Sequence, residues 1–96
     1  MLTGKQKRYL RSLAQTMPAI FQIGKDGLSD NLIEKTDDAL RARELIKIRM
    51  LKTISADPEE IAFDLAMNTK SEIVQMIGHT VVLYRRAAEP KIILPR

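Results

Sequence analysis

The sequence predicts a mixed α/β fold, a two-layer α-β-α-β-α-β-β chain with one four-stranded mixed sheet covered by helices. Three observations predict it. Segments with apolar residues at helical spacing alternate with short runs of period two. The helical segments open on capping residues. The last two strand-like runs are separated only by Gly78-His79-Thr80, a hairpin connection. Strand–helix–strand units favour parallel pairing, and the closing hairpin adds an antiparallel pair. A length of 96 residues suits one domain, taken as residues 1–96.

Each element has its own local signal. Thr3 is a good N-cap with Gln6 three residues on, a capping-box pattern. Leu10, Leu13, Ala14 and Met17 then form the apolar stripe of a helix from about residue 4 to 16, ended by Pro18. Ala19, Phe21 and Ile23 alternate into a short strand over 19–23. It leads to Gly24-Lys25-Asp26-Gly27, two glycines bracketing a two-residue tip. Ser29 caps the next helix, with Asp30 in its first turn where an anion is favoured. Leu32, Ile33, Thr36 and Leu40 mark its buried side, to about residue 43.

Residues 45–52 are the clearest strand: Ile46, Ile48 and Met50 face one way, Lys47, Arg49 and Leu51 the other. Asp57-Pro58-Glu59-Glu60 starts the third helix with a cap, a proline in the first turn and acids beside it. Ala62, Leu65, Ala66 and Thr69 are its stripe, and Glu59, Glu60 and Asp64 make its outer surface acidic. Ile73 to Ile77 and Val81 to Arg85 are the hairpin strands. Lys91-Ile92-Ile93-Leu94, between Pro90 and Pro95, reads as an edge strand or a packed extension.

Composition excludes several classes of function. There is no cysteine, so disulfides, thiolate metal sites and cysteine nucleophiles are all removed. That fits a cytoplasmic protein. No apolar run approaches a membrane span, and the N-terminus has no secretory pattern. The one histidine, His79, falls in the hairpin turn, and the serines lack a Ser-His-Asp context. Asp37-Asp38 and Glu59-Glu60 are adjacent on helices and point in different directions, so they make no carboxylate dyad. No cluster has metal-ligand spacing. The expectation is a protein without catalysis or cofactor.

The charge layout points to a polyanion. Net charge is +4, and its distribution is uneven. Residues 1–25 carry Lys5, Lys7, Arg8, Arg11 and Lys25 with no acid. Residues 81–96 carry Arg85, Arg86, Lys91 and Arg96 against Glu89 alone, while the middle is acidic. Gly24 and Gly27 allow backbone amides to approach a ligand, and the helix that follows aims its positive end at the same place. Together these read as a nucleic-acid footprint of Lys5, Lys7, Arg8, Arg11, the loop Gly24–Gly27, Arg85 and Arg86. The strands disfavour a DNA helix-turn-helix. Of the four aromatic residues, Phe21 and Phe63 are expected in the core, so base stacking is poorly supported. Contacts to RNA phosphates, 2′-hydroxyls and shape fit better.

These residues resemble the CRM domain in its free-standing bacterial form, the YhbY-like RNA-binding proteins. The resemblance runs along nearly the whole chain. It rests on Leu2-Thr3-Gly4-Lys5-Gln6, Tyr9-Leu10-Arg11, Ile23-Gly24-Lys25-Asp26-Gly27-Leu28-Ser29 and Glu44-Leu45-Ile46-Lys47-Ile48. Gln75-Met76-Ile77-Gly78, Val82-Leu83-Tyr84-Arg85 and Ile92-Ile93-Leu94-Pro95 complete it. It implies a fold similar to the C-terminal domain of translation initiation factor three. It implies binding to structured ribosomal RNA in precursors of the large subunit, through a loop of Gly24, Lys25, Asp26 and Gly27. A monomer is expected. Asp26 sets an anion at the loop tip, leaving Lys25 and the amides to meet phosphate. The alternative is a protein-interaction module that docks its acidic third helix, or an open sheet edge, on a ribosomal protein or an assembly GTPase.

Overall fold

A computed structural model describes residues 2–24, 27–52 and 56–96. Capping sets where its helices begin. Thr3 Oγ1 accepts from the Gln6 N–H at 3.1 Å and Gln6 Oε1 from the Thr3 N–H at 3.0 Å, the expected capping box, which opens α1 (Gly4–Ala14). Ser29 Oγ accepts from the Leu32 N–H at 3.1 Å at the start of α2 (Asp30–Arg43). Asp57 accepts from the Glu59 N–H at 3.0 Å, with Pro58 in the first turn of α3 (Pro58–Thr69).

The strands are β1 (Phe21–Ile23), β2 (Leu45–Met50), β3 (Glu72–Ile77) and β4 (Thr80–Tyr84), in the sheet order β1-β2-β4-β3. β1 and β2 are parallel, and β4 is antiparallel to both β2 and β3. The hairpin therefore inserts β4 between β2 and β3, which run the same way without touching. Gly78 takes the first of its two loop positions with φ of 56°, a conformation that suits glycine. In β3, Ile73 pairs with Leu83 and Gln75 with Val82, so Val74 is the extra residue of a bulge.

β4 is apolar on both faces, and β2 is apolar on one face and at Leu45 on the other, so both faces must be covered there. Ile46, Ile48, Met50, Val81 and Leu83 pack under α2 and α3, against Leu40, Ile61, Ala62, Leu65 and Ala66. On the opposite face Leu45, Val82, Tyr84 and the bulged Val74 pack under α1, against Leu10 and Ala14. The layering thus extends beyond two: α1 covers one end of the second face, and the C-terminal tail helps it. Of the two readings of residues 91–94, the packed extension holds. Ile92 and Leu94 lie on the second core, and Ile93 between them is 85% exposed.

Glu44 fastens that tail. It sits between α2 and β2, fully buried, and its carboxylate accepts from the Ala87 N–H at 3.2 Å, the Ile92 N–H at 2.9 Å and the Lys91 N–H. Its backbone has φ of 65° and ψ of −46°, a strained conformation for a residue with a side chain. The tail continues to α1, where Gln6 Nε2 donates to the Pro95 carbonyl at 3.1 Å and Lys5 Nζ to the Arg96 carbonyl at 3.0 Å.

One expectation about the core is corrected. Phe63 is 59% exposed, because the buried stripe of α3 is Ile61, Ala62, Leu65, Ala66 and Thr69 and position 63 falls outside that arc.

Candidate nucleic-acid interface

The sheet separates charge. On its α2 and α3 side, α2 carries Asp30, Glu34, Asp37 and Asp38 against Lys35, Arg41 and Arg43, and α3 with its cap carries Asp57, Glu59, Glu60 and Asp64 and no base. On the other side, α1 carries Lys5, Lys7, Arg8 and Arg11 and no acid. Burial of Leu10 and Ala14 turns Lys5 and Arg8 outward, while Lys7 and Arg11 lie half-buried at the flanks, their stems over apolar surface.

β2 extends this surface. Lys47 and Arg49 alternate with the core residues Ile46, Ile48 and Met50, which places them on the α1 face of the sheet, beyond the end that α1 covers. Lys47 lines an open patch there with Gln75, Ile77, Thr80 and Val82. Among the described residues, none of Lys7, Arg8, Arg11, Lys47 and Arg49 forms an ion pair. Sequence reasoning missed Lys47 and Arg49 as site residues. Their alternation was visible, but which helix would share their face was not.

The glycine loop lies at the same end of the sheet as Arg49. The Leu51 N–H donates to the Ile23 carbonyl at 3.0 Å, and the Met50 N–H donates to the His79 carbonyl at 2.6 Å, tying β1, β2 and the hairpin turn together. The Gly27 N–H closes the loop on the Gly24 carbonyl at 3.0 Å. Gly27 has φ of 73°, so a side chain there is strained, whereas a Cβ on Gly24 would meet nothing within 4 Å. Lys25 and Asp26 lie outside the described residues. Beside the loop is a cleft of about 290 Å³ lined by Gln22, Gly24, Gly27, Ser29, Asn31, Leu32 and Lys35. The N-terminus of α2 borders it, so the helix dipole and the Lys35 ammonium both favour an anion. Lys35 is a third residue that sequence reasoning left out.

Arg85 and Arg86 part company, because consecutive residues of an extended chain point to opposite faces. Arg86 is exposed on the α1 side, lining a cleft with Gln6, Tyr84 and Leu94. Arg85 points to the acidic side instead. Its guanidinium donates to the Asp37 carboxylate, to the Asp37 carbonyl at 3.0 Å and to the Thr69 carbonyl at 2.7 Å, joining β4 to α2 and α3. The Arg85 hydrogen bond holds the Asp37 carboxyl below its ordinary range; burial opposes this, and the charges of Arg85 and Arg41 add to it. Arg85 is therefore a strut within the fold, and it still lines, with Arg86, Leu2 and Gln6, a cleft at the edge of the α1 side.

Residues 2–85 match the CRS1 / YhbY (CRM) domain. The chain is 48% identical over 91 residues to Probable RNA-binding protein YqeI of Bacillus subtilis, covering 95% of each. It is 36% identical over 95 residues to an RNA-binding protein of Haemophilus influenzae, covering 99% of this chain and 96% of that one. Its fold is similar to the solution structure of the hypothetical protein SAV1595 from Staphylococcus aureus, a candidate RNA binder. There the TM-score is 0.83 and the identity 52%, over 99% of this chain and all of that one.

Proposed function

We propose, from the premise that this chain belongs to the CRS1 / YhbY (CRM) domain family, that it binds structured ribosomal RNA and acts in the cytoplasm on precursors of the large ribosomal subunit. One observation carries the reading: the sheet sorts charge, leaving Lys5, Lys7, Arg8, Arg11, Lys47, Arg49 and Arg86 on one side and the acids of α2 and α3 on the other. An A-form duplex offers phosphates and 2′-hydroxyls across a wide minor groove, which a broad cationic face can meet without reading bases. Gly24 and Gly27, at the same end of the sheet as Arg49, supply a second point of contact. No helix among the described residues is long and apolar enough to cross a membrane.

Binding of this kind releases counterions. With about 4–6 phosphates engaged, log K falls with log salt at a slope of roughly −3 to −5. A filter-binding or polarisation titration of a ribosomal RNA fragment across a salt series measures it. Affinity that ignores salt would sink the mechanism.

The loop has its own test. Gly24 has room and no positive φ, so Gly24→Asp adds an anion without straining the turn. The variant is expected to keep its circular dichroism and melting curve and to bind the same RNA about tenfold more weakly. Unchanged affinity would remove the loop from the interface.

The acidic outer surface of α3 favours a second reading, docking on a basic ribosomal protein. A pulldown that survives nuclease treatment would support it over direct RNA contact.

A further inference from the structure

Phe63 is 59% exposed, and Met67, one turn further along α3, is 65% exposed. They line an open groove of about 390 Å³ between α3, the start of β3 and α1, whose cations are Lys7 and Lys70. Its one acid, Glu72, already accepts the Leu2 N–H at 3.0 Å. An exposed aromatic ring in a groove shared with two cations is chemistry that receives a nucleobase: the base stacks on the ring and the ammonium groups meet the neighbouring phosphates. Lys7 belongs to α1, so the groove continues the cationic face around the β3 edge of the sheet.

Lys70 adds an independent observation. The Ser71 N–H donates to the Ala66 carbonyl at 2.9 Å and the Lys70 N–H to the Met67 carbonyl at 3.4 Å, the pattern of a Schellman ending for α3. Lys70 holds the left-handed position of that ending, with φ of 54° and ψ of 40°. Glycine is the residue this position ordinarily takes, since a side chain there is strained. A lysine is less stable in that place, and it sets a cation on the groove wall.

Resting on the reading that the α1 face holds RNA, we propose that the Phe63–Met67 groove receives one unpaired nucleotide of that RNA, its base stacked on Phe63 and its flanking phosphates met by Lys7 and Lys70. Glu60 and Asp64, on the outer side of α3, repel a longer polyanion. The groove therefore selects an extruded nucleotide over a duplex.

The probe is a stem–loop RNA with 2-aminopurine in its loop, compared with the blunt duplex of the same stem. Each is titrated with the full chain in about 0.1 M salt. The stem–loop is expected to bind at least about fivefold more tightly than the duplex, with its fluorescence quenched on binding. Phe63→Leu removes the preference and the quenching and binds the duplex as the unaltered chain does. Lys70→Gly raises the melting temperature and still weakens stem–loop binding, by about threefold. If Phe63→Leu keeps the preference and the quenching, or the unaltered chain shows neither, the proposal is overturned and the RNA reading stands. Failure of the unaltered chain to bind either probe overturns the RNA reading itself. If Phe63→Leu binds RNA as before but no longer co-sediments with ribosomal particles, the occupant is a protein, which also overturns the proposal.

Discussion

Replacing Glu44 with alanine lowers the free energy of unfolding by about 3 kcal/mol, roughly 1 kcal/mol for each backbone N–H that loses its acceptor. Those donors belong to Ala87, Lys91 and Ile92, and among the described residues no other carboxylate meets them. Alanine inherits the positive φ of 65° as well, so the substitution relieves no backbone strain. For a domain whose whole stability is on the order of 5–15 kcal/mol, the loss is severe. It also reaches the interface, because the tail that Glu44 fastens supplies the carbonyls of Pro95 and Arg96 to Gln6 and Lys5 of α1. Urea unfolding followed by circular dichroism measures the effect. A midpoint within error of the unaltered chain would show that Glu44 fastens nothing.

The same carboxylate predicts an acid dependence. Burial pushes the Glu44 carboxyl up, but the N–H bonds from Lys91, Ile92 and Ala87 and the charge of Lys91 outweigh it and hold it below its ordinary value. A group depressed in the folded state adds stability that is present above its unfolded value and is lost as pH falls through the folded one. Stability should therefore drop as pH falls below 4.5, the ordinary glutamate value. Asp37 contributes in the same direction. Glu44→Gln isolates the Glu44 share: it keeps one acceptor oxygen, starts from a lower stability at neutral pH, and loses less on acidification.

The double substitution Lys47→Gln, Arg49→Gln is expected to weaken RNA binding about 50-fold at about 0.1 M salt and to make the salt slope shallower by roughly 2. Each side chain stands on the open part of the α1 face without an ion-pair partner among the described residues. Neither contributes to the core, so the melting curve should hardly move. The double substitution Arg41→Gln, Arg43→Gln is the matched control, with both cations in the last turn of α2. Both are exposed too, but Arg41 lies beside Asp37 and Asp38, on the acidic side of the sheet. Equal losses from the two sets of substitutions would mean that charge alone matters and the sheet orients nothing.

The elements were legible because their signals are local. A cap at Thr3, Ser29 or Asp57 acts on an amide two or three residues away, and the stripes of α1, α2 and α3 repeat within a turn or two. The alternation of Ile46, Ile48 and Met50 needed nothing beyond the strand itself. The glycine loop and the cations of α1 were equally plain, and both lie on or beside the face proposed to hold RNA.

What remained hidden depends on contacts that the chain closes only when folded. Arg85 reads as one more basic residue near the C-terminus until the fold brings it to Asp37 of α2, 48 positions earlier in the chain. Glu44 reads as an ordinary helix-terminal acid until the tail, 43 to 48 residues later, brings it three N–H groups. Phe63 reads as core in a chain with few aromatics, yet the register of α3 against the sheet leaves it outside.

By itself the sequence determined the order of helices and strands, the caps that bound them, the family resemblance and the excess of positive charge at both ends. Only the tertiary structure decided how that charge is used. β4 enters between β2 and β3, and α1 crosses to the face that α2 and α3 leave open. Those two placements put Lys47 and Arg49 with α1 and tie Arg85 to Asp37 and Thr69. The physical reason is reach: hydrogen bonds and periodicity within an element act over a few residues, whereas the side of a sheet on which a charge emerges is settled by packing between elements far apart in the chain.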